Sequence, residues 1–162
     1  MSESYSIWLT PSKEDEAYFS SVIQELADEY DASVFYPHCT LYSPVTDFSL
    51  AQSILEKIVL NPIQVTPIGI SQSDNIWKTV FIELELSVEL QFLKREIESI
   101  FLLPYSFSPH ISLIYKELAD EEKESIISKL DVKNSYKMDA IRIVRTGNTI
   151  PNWKTVYTKG LA

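Results

Sequence analysis

The sequence predicts an α+β protein of duplicated, bilobal architecture, with two antiparallel sheets facing a central cleft and helices on the outside. Strand-type and helix-type segments follow one another in the same order twice. The segment Pro-His-x-(Thr/Ser)-Leu occurs at residues 37–41 and again at 109–113, and no linker rich in Gly, Ser or Pro divides the chain. We therefore expect one domain over residues 1–162, with pseudo-symmetric halves of about 1–73 and 74–162.

The first half is expected to hold three strands separated by two helices. Apolar residues alternate in the strand segments and recur at helical spacing in the helix segments. Ser12 and Asp47 are expected to cap the two helices, and Pro44 is expected to end the strand that precedes Asp47. The predicted order is a strand at about 5–10, a helix at 12–30, a strand at 33–42, a helix at 47–58 and a strand at 63–71.

The second half repeats this order and adds a final strand. Clean alternation at 77–85, preceded by turn residues at 73–75, predicts a hairpin with the strand before it. Ser87 is expected to cap the third helix, and Pro104 is expected to close it. The predicted order is a strand at 77–85, a helix at 87–101, a strand at 107–115, a helix at 119–130, a strand at 133–146 and a last strand from about 152 to 158.

The repeated motif holds both histidines of the chain. Because side chains alternate along a strand, His38 shares a face with Thr40, and His110 shares a face with Ser112. An imidazole titrates near neutral pH, so one can act as a base and the other as an acid, while hydroxyls donate hydrogen bonds to phosphoryl oxygens. Two such strands side by side have the groups needed to split a phosphodiester without a metal. The alternative is that both histidines are ordinary packed or surface residues, and the repetition argues against it.

The net charge of −9 disfavours binding to long nucleic acid, which needs many basic contacts to phosphate. A small anion can still bind in a locally positive pocket. Arg142, Arg145 and Lys154 are candidates for a positive cleft wall, although a solvated strand edge is the simpler interpretation. No long apolar run predicts a membrane span, and no N-terminal segment predicts a signal peptide.

The single cysteine, Cys39, excludes an internal disulfide and is consistent with a reducing cytoplasm. It follows His38 directly and is therefore a candidate nucleophile. Alternation instead predicts that its side chain lies on the apolar face of the strand, as a packed thiol. By the same register, Tyr42 lies on the face of His38 and can approach the cleft.

The paired motifs resemble those of the two-histidine phosphoesterase superfamily, and the wider sequence resembles its cyclic phosphodiesterase branch. The similar segments are residues 6–9 followed by an acidic helix, Pro37-His38, residues 77–80 and residues 110–115, and together they extend over nearly the whole chain. The resemblance implies a bilobal fold with the site in the cleft. It also implies hydrolysis of a 1″,2″- or 2′,3′-cyclic phosphate on a ribose, in RNA or tRNA metabolism, with no cofactor and no metal.

The resemblance implies roles for five residues. His38 and His110 would be the acid–base pair, Thr40 and Ser112 the phosphate ligands, and Tyr115 a further contact to the substrate. Strict alternation puts Tyr115 on the face opposite His110, so its role requires a strand end or a bulge. The assignment of His110 as base and His38 as acid follows the family and is open to reversal.

Trp8 and Trp77 are candidates for contacts to the substrate, although core packing is the commoner role for either one alone. The expected partner is a small cyclic phosphate, the expected oligomeric state is a monomer and the expected location is the cytoplasm. Three alternatives stay open. They are an RNA end-processing phosphodiesterase or ligase-like enzyme, a module that binds a cyclic phosphate without turnover, and a metal site, for which two histidines make a weak case.

Overall fold

The computed structural model describes residues 3–101, 105–147 and 149–162, and the helix stop predicted at Pro104 lies outside them. Over these residues the chain forms eight strands, four α-helices and two short 3₁₀ turns. The strands are β1 (Ser4–Pro11), β2 (Cys39–Val45), β3 (Ile63–Val65), β4 (Pro67–Gln72), β5 (Val80–Leu84), β6 (His110–Ile114), β7 (Tyr136–Thr146) and β8 (Lys154–Gly160). The helices are α1 (Lys13–Tyr30), α2 (Phe48–Lys57), α3 (Val88–Glu98) and α4 (Asp120–Lys129), and the 3₁₀ turns are Ile76–Lys78 and Ile150–Asn152.

The strands form two antiparallel sheets. The larger has the order β2-β1-β7-β3, with β8 also paired to β7, and the smaller has the order β4-β5-β6. The motif strands β2 and β6 are edge strands, one in each sheet. The predicted fold, with mixed helices and antiparallel sheets, is confirmed.

The sheets do not follow the two halves of the sequence. Strand β4 lies before residue 74 but pairs with β5 in the sheet of the second motif. Strand β7 lies after residue 74 but pairs with β1 in the sheet of the first motif. The smaller sheet therefore contains one strand from the first half of the chain, and the larger sheet contains two from the second half, β7 and β8.

Both motif strands carry a register shift at the same place. Trp8 lies opposite Thr40 while Ile7 lies opposite Tyr42, so Leu41 is an extra residue in β2. In β6, Phe81 lies opposite Ser112 while Val80 lies opposite Ile114, and the extra residue is Leu113. An extra residue reverses the alternation of the side chains that follow it. The leucine of each motif therefore marks the point where simple alternation fails.

The helix starts agree with the predicted caps. The Leu50 backbone N–H donates to the Asp47 carboxylate at 3.0 Å, and the Leu90 N–H donates to the Ser87 hydroxyl at 3.2 Å. Ser12 occupies the N-cap position of α1, but its side chain makes no capping hydrogen bond. Each helix buries an apolar stripe against the sheets, as α3 does with Leu90, Leu93 and Ile97.

Several strand boundaries differ from the prediction, and the differences at the first motif strand and at 63–71 affect the sheets most. The first motif strand begins at Cys39, after Pro37, and continues past Pro44 to Val45. The segment predicted as one strand at 63–71 forms β3 and β4, which join different sheets on either side of Thr66. Pro67 begins β4, in keeping with the preference of proline for the first position of a strand. In the described part of the chain, no helix has the length and apolar character required to cross a membrane.

Candidate active site

The two histidines occupy equivalent positions at the starts of the motif strands. His38 directly precedes β2, and His110 is the first residue of β6. In each motif Nδ1–H donates to the carbonyl two residues earlier, from His38 to Tyr36 at 2.7 Å and from His110 to Ser108 at 2.8 Å. Because a carbonyl only accepts, Nδ1 carries the proton in both neutral rings. Each Nε2 therefore presents a lone pair that can take up a proton.

Both histidines line one cleft of about 950 Å³. Side chains from both sheets and from both 3₁₀ turns form its walls. Besides the histidines, the lining includes Trp8, Thr40, Trp77, Lys78, Tyr115 and Trp153. This volume and mixed polar and aromatic lining are typical of a small-molecule site.

Trp8 holds the ring of His38. The two rings are stacked, with centroids 3.6 Å apart and planes within 9°. The indole N–H of Trp8 donates to the Ser6 hydroxyl at 3.0 Å, and this bond fixes the orientation of the indole on which His38 stacks. Burial lowers the pKa of His38 to about 3, outweighing the Tyr36 carbonyl, which raises it, and nearby His110 lowers it further. In the free protein His38 is therefore neutral at neutral pH.

His110 is more accessible than His38. Its ring meets the edge of Phe81 at a centroid distance of 5.5 Å. Burial also lowers its pKa, with the Ser108 carbonyl and Glu83 acting to raise it and Lys78 acting to lower it. The two imidazoles thus sit in environments that differ in solvent access and in nearby charge.

The two hydroxyl residues of the motifs are placed differently. Thr40 lines the cleft. Ser112 is buried, and its hydroxyl donates to the backbone carbonyl of Trp77 at 3.1 Å. A serine has a single O–H to donate, so Ser112 cannot keep this bond and also donate to a phosphoryl oxygen. Its role as a phosphate ligand remains a prediction that requires the bond to Trp77 to open.

Tyr115 reaches the cleft because of the bulge at Leu113. It lies one residue beyond the end of β6, and the extra residue returns it to the face of His110. Its hydroxyl is 3.5 Å from Nε2 of His38, and its ring packs on Phe35 at a centroid distance of 4.1 Å. Burial raises the pKa of Tyr115, so the phenol stays protonated.

The bulge at Leu41 has the opposite effect on Tyr42. This tyrosine was expected on the face of His38, but it is buried and stacks on Phe101 at 4.4 Å instead of lining the cleft. Ser43 takes its place in the cleft wall. The expectation for Tyr42 was therefore wrong, because it assumed unbroken alternation through the motif.

Cys39 packs between the two motifs. Its side chain is fully buried, and the backbone N–H of His110 donates to its sulfur. Burial raises the pKa of the thiol to about 12, so it stays protonated at neutral pH. The prediction of a packed thiol is confirmed, and the nucleophile alternative is not favoured.

Trp153 and Lys78 are among the cleft residues that the sequence did not predict. Trp153 contacts Trp8, Trp77 and Tyr115 with centroid distances of 5.6, 6.0 and 5.8 Å. Lys78 supplies a positive charge. Lys78 lies in segment 77–80, which carries part of the family resemblance, and its position next to Trp77 could have marked it as a cleft residue. Nothing in the pattern around Trp153 distinguished it from a core residue.

The cations considered as candidates for a cleft wall lie elsewhere, in keeping with the simpler interpretation. Arg142 donates to the hydroxyls of Thr10 at 3.2 Å and Tyr36 at 3.4 Å, and its guanidinium packs over the Tyr36 ring. Arg145 forms an ion pair with Glu3 at 3.4 Å. Neither arginine, nor Lys154, is among the lining residues in the described part of the chain.

Comparison with known proteins agrees with this architecture. The chain is 26% identical to a cyclic phosphodiesterase of Arabidopsis thaliana over 168 aligned positions, which cover 94% of this chain and 92% of the relative. Among solved structures, E. coli LigT complexed with 3′-AMP superposes with a TM-score of 0.67 at 12% identity, covering 100% of this chain and 99% of LigT. The resemblance to the two-histidine phosphoesterases is confirmed.

A second solved structure, from another organism, shares this fold. The protein TT0787 of Thermus thermophilus superposes with a TM-score of 0.65 at 12% identity, covering 98% of this chain and 97% of TT0787. No family model matches the chain. At such low identity the solved structures establish the shared fold, whereas the roles of individual residues must be argued from this chain.

Proposed function

We propose that the protein hydrolyses a ribose cyclic phosphate to a phosphomonoester by a metal-independent, two-histidine mechanism. The substrates are nucleoside 2′,3′-cyclic phosphates or ADP-ribose 1″,2″-cyclic phosphate. The main support for the proposal is that the two histidines share the same location and tautomer. Both line one cleft, both have Nδ1–H bound to a backbone carbonyl, and in both Nε2 is the unprotonated nitrogen.

The relatives support a phosphate ligand of nucleotide size. The Arabidopsis relative is named a cyclic phosphodiesterase. Structures of E. coli LigT are described as complexes with 3′-AMP, NADP+, ATP and phosphate. A cleft of about 950 Å³ has room for a ligand of this class.

The reaction needs one neutral and one protonated imidazole. A neutral Nε2 takes a proton from water as the water oxygen attacks phosphorus, and the other imidazolium gives its Nε2 proton to the departing ribose oxygen. The P–O bond to that oxygen breaks, the ring opens and a phosphomonoester remains. The Thr40 hydroxyl donates to a non-bridging phosphoryl oxygen. Ring strain in the five-membered cyclic phosphate lowers the demand on the enzyme, so positioning and proton transfer suffice.

The environments of the two rings favour His38 as the base and His110 as the acid. His38 is buried against Trp8 and loses its proton readily, since burial lowers its pKa to about 3. Burial also lowers the pKa of His110, but this ring is less buried than that of His38. The Ser108 carbonyl and Glu83 oppose the lowering, and Lys78 adds to it. This order is the reverse of the one expected from the resemblance.

Trp77 and Trp153 are placed to contact the base of a nucleotide. Trp77 is 51% exposed, which is unusual for a tryptophan that serves only to pack a core. The two indoles are stacked with their planes 26° apart, and Trp153 lies 6.4 Å from the ring of His38. Aromatic faces bind bases of any sequence by stacking.

The decisive experiment is turnover of a cyclic phosphate panel by the purified protein. We expect His38→Ala and His110→Ala each to lower kcat by roughly 10²–10⁴-fold, the usual contribution of a general acid or base. Both variants should unfold cooperatively in urea like the parent. A single histidine variant with full activity, measured by direct product formation, rules out the mechanism.

Chelation tests the absence of a metal requirement. No cluster of three or more His, Cys, Asp or Glu side chains suited to a metal ion occurs within the described ranges. Activity should therefore survive exhaustive EDTA treatment. Loss of activity that zinc or manganese restores would require a metal-assisted mechanism instead.

Substrate size separates this function from RNA end processing. A chain with a net charge of −9 offers few basic contacts to a long phosphate backbone. We expect a mononucleotide cyclic phosphate to be a better substrate than an oligonucleotide ending in the same group, with little salt dependence. A preference for the oligonucleotide with a steep salt slope would favour the RNA enzyme.

A further inference from the structure

Lys78 brings an ammonium group to the His110 side of the cleft. It is the last residue of the first 3₁₀ turn, is half-buried and lines the cleft. Its Nζ lies 4.6 Å from the centre of the Phe81 ring, and that ring meets His110 at 5.5 Å. Phe81 also pairs across the sheet with Ser112. The Phe81 ring therefore lies against both Lys78 and His110, and Phe81 is the strand partner of Ser112.

Within the part of the chain that the structure describes, the ammonium group of Lys78 forms no ion pair with a carboxylate. Among the described residues, no carboxylate lies within ion-pair distance of its Nζ, whereas Arg145, Lys123 and Lys133 each have an acidic partner. Acidic side chains outnumber basic ones in this protein by 23 to 14. A half-buried cation without a carboxylate partner, in the wall of a cleft, is suited to an anionic ligand.

The segment that carries Lys78 is fixed by hydrogen bonds from several directions. Buried Lys123 donates to the Ser73 carbonyl at 3.1 Å, and the Ser73 hydroxyl donates to the Lys78 carbonyl. The Trp77 N–H donates to the Asn75 side chain at 2.9 Å, which caps the turn. From the sheet, the Ser112 hydroxyl donates to the Trp77 carbonyl. The backbone that presents Lys78 is thus held on the second motif strand itself.

The charge on the phosphoryl group grows during the proposed reaction. A cyclic phosphodiester carries one negative charge, and addition of a water oxygen with loss of its proton gives a pentacoordinate species with two. The phosphomonoester product keeps two charges above its second pKa, near 6 for a phosphate monoester. A fixed cation beside the site therefore stabilises the transition state and the product more than the substrate.

We propose that Lys78 is a catalytic residue that binds the phosphoryl group on the His110 side and stabilises the second negative charge. This inference rests on the proposed function of the cleft. It assigns to Lys78 the role that the sequence had suggested for the arginines of β7. The Ser112 hydroxyl is engaged by the Trp77 carbonyl. Lys78, on the turn that this bond holds, therefore supplies a contact to the phosphoryl group beside the second motif.

The kinetic test compares Lys78→Met with Lys154→Met. Both variants lose one positive charge, but Lys154 is exposed on β8 and is not a lining residue. We expect Lys78→Met to lower kcat by roughly 10²-fold, as for the loss of one oxyanion contact, with a smaller change in KM. Lys154→Met should match the parent, and Lys78→Arg, which keeps the charge, should recover at least a tenth of the activity. Equal kcat values for Lys78→Met and the parent overturn the proposal.

A binding test keeps the two proposals separate. Trp77 adjoins Lys78, so tryptophan fluorescence reports titration with adenosine 2′-phosphate or adenosine 3′-phosphate without any turnover. At pH 8, where these ligands are dianions, Lys78→Met should bind about tenfold or more weakly than the parent and Lys154→Met should not. If no cyclic phosphate is hydrolysed, the proposed function fails while this titration still decides the role of Lys78. Equal affinity of the two methionine variants, or no binding by the parent, refutes the role proposed for Lys78.

Discussion

The hydroxyl of Tyr115 lies 3.5 Å from Nε2 of His38, although the two residues are 77 positions apart in the chain. Since Nδ1 of His38 carries the ring proton, Nε2 can only accept, and the tyrosine hydroxyl is the donor. Nε2 has a single lone pair, so this contact must open before His38 can accept a proton from water. The hydroxyl is then free to donate to the substrate, which is the role expected from the family resemblance. The contact joins the histidine of one motif to the tyrosine that closes the other.

Removing that hydroxyl should weaken catalysis without loosening the fold. We expect Tyr115→Phe to lower kcat/KM by about tenfold, since one net hydrogen bond contributes about 1 kcal/mol and 1.36 kcal/mol is a factor of ten in rate. The ring keeps its packing on Phe35. Tyr36→Phe is the matched control, because its hydroxyl accepts from Arg142 and Tyr36 is not among the described residues that line the cleft. Equal losses in the two variants would mean that the Tyr115 hydroxyl has no special role.

The order of acid and base is testable with a leaving group that needs no proton. On a nucleoside 3′-(p-nitrophenyl phosphate), the variant that lacks the general acid should approach the parent rate, whereas the variant without the base should keep its defect. We expect His110→Ala to recover to within roughly tenfold of the parent and His38→Ala not to recover. The opposite pattern would restore the order that the family resemblance implied.

The pH dependence of kcat/KM should be bell-shaped and centred on the acidic side. The active form has one neutral and one protonated histidine, so activity lies between the two pKa values of the free enzyme. The pKa of His38 is about 3, and that of His110 is lowered from its usual 6.5. The alkaline limb should therefore fall below pH 6.5 in a profile of initial rates. A constant kcat/KM from acid to strongly alkaline pH would contradict the paired roles, whichever ring is the base.

His38 should also make the fold sensitive to acid. Its pKa is about 3 when folded and near 6.5 when unfolded, so below pH 6.5 the unfolded chain binds a proton that the folded protein does not. The free energy of unfolding should fall by about 2 kcal/mol from this residue alone between pH 7.5 and pH 5. Urea titrations of the parent and His38→Asn at both pH values measure it. His110→Asn should keep most of the pH dependence of the unfolding free energy. If the parent loses no more stability in acid than His38→Asn, His38 does not cause the sensitivity.

The two motif hydroxyls should differ in their kinetic signature. Thr40 lines the cleft, so Thr40→Val should lower kcat by about 10²-fold, the low end for loss of an oxyanion donor. Ser112→Ala removes the bond to the Trp77 carbonyl and should raise KM and shift the tryptophan emission. Wild-type kcat and KM in both single variants and the double variant would assign these residues to the strand framework only.

Much of the site followed from local chemistry. The spacing within the motifs predicted that His38 and Thr40 would share one cleft, and the capping side chains of Asp47 and Ser87 predicted two helix starts. The bulges at Leu41 and Leu113 were not predictable from alternation, because alternation assumes that every residue has one partner. They explain both the error for Tyr42 and the position of Tyr115.

The periodicity of the sequence could not predict which strands share a sheet, nor the 3₁₀ turn, for a different reason. Alternation shows which residues share a face, but it does not show which strands become neighbours, since that is decided by packing across the whole chain. Segment 63–71 therefore appeared as one strand although its ends belong to two sheets. Lys78 reaches the cleft only because the turn at Ile76–Lys78 replaces the predicted start of a strand.

The exchange of β4 and β7 between the sheets has a consequence for how the polypeptide matures. During synthesis β1 appears first, yet its partner β7 is made about 130 residues later, as the bond between Thr10 and the Ala140 carbonyl illustrates. Until then β1 has one unpaired edge, which is a surface for intermolecular association. Such distant pairing makes folding slow, because a long loop must close before the contacts form. The smaller sheet is complete once β6 has been made, but the larger sheet needs β7 and β8, so the cleft is assembled only after synthesis of nearly the entire chain.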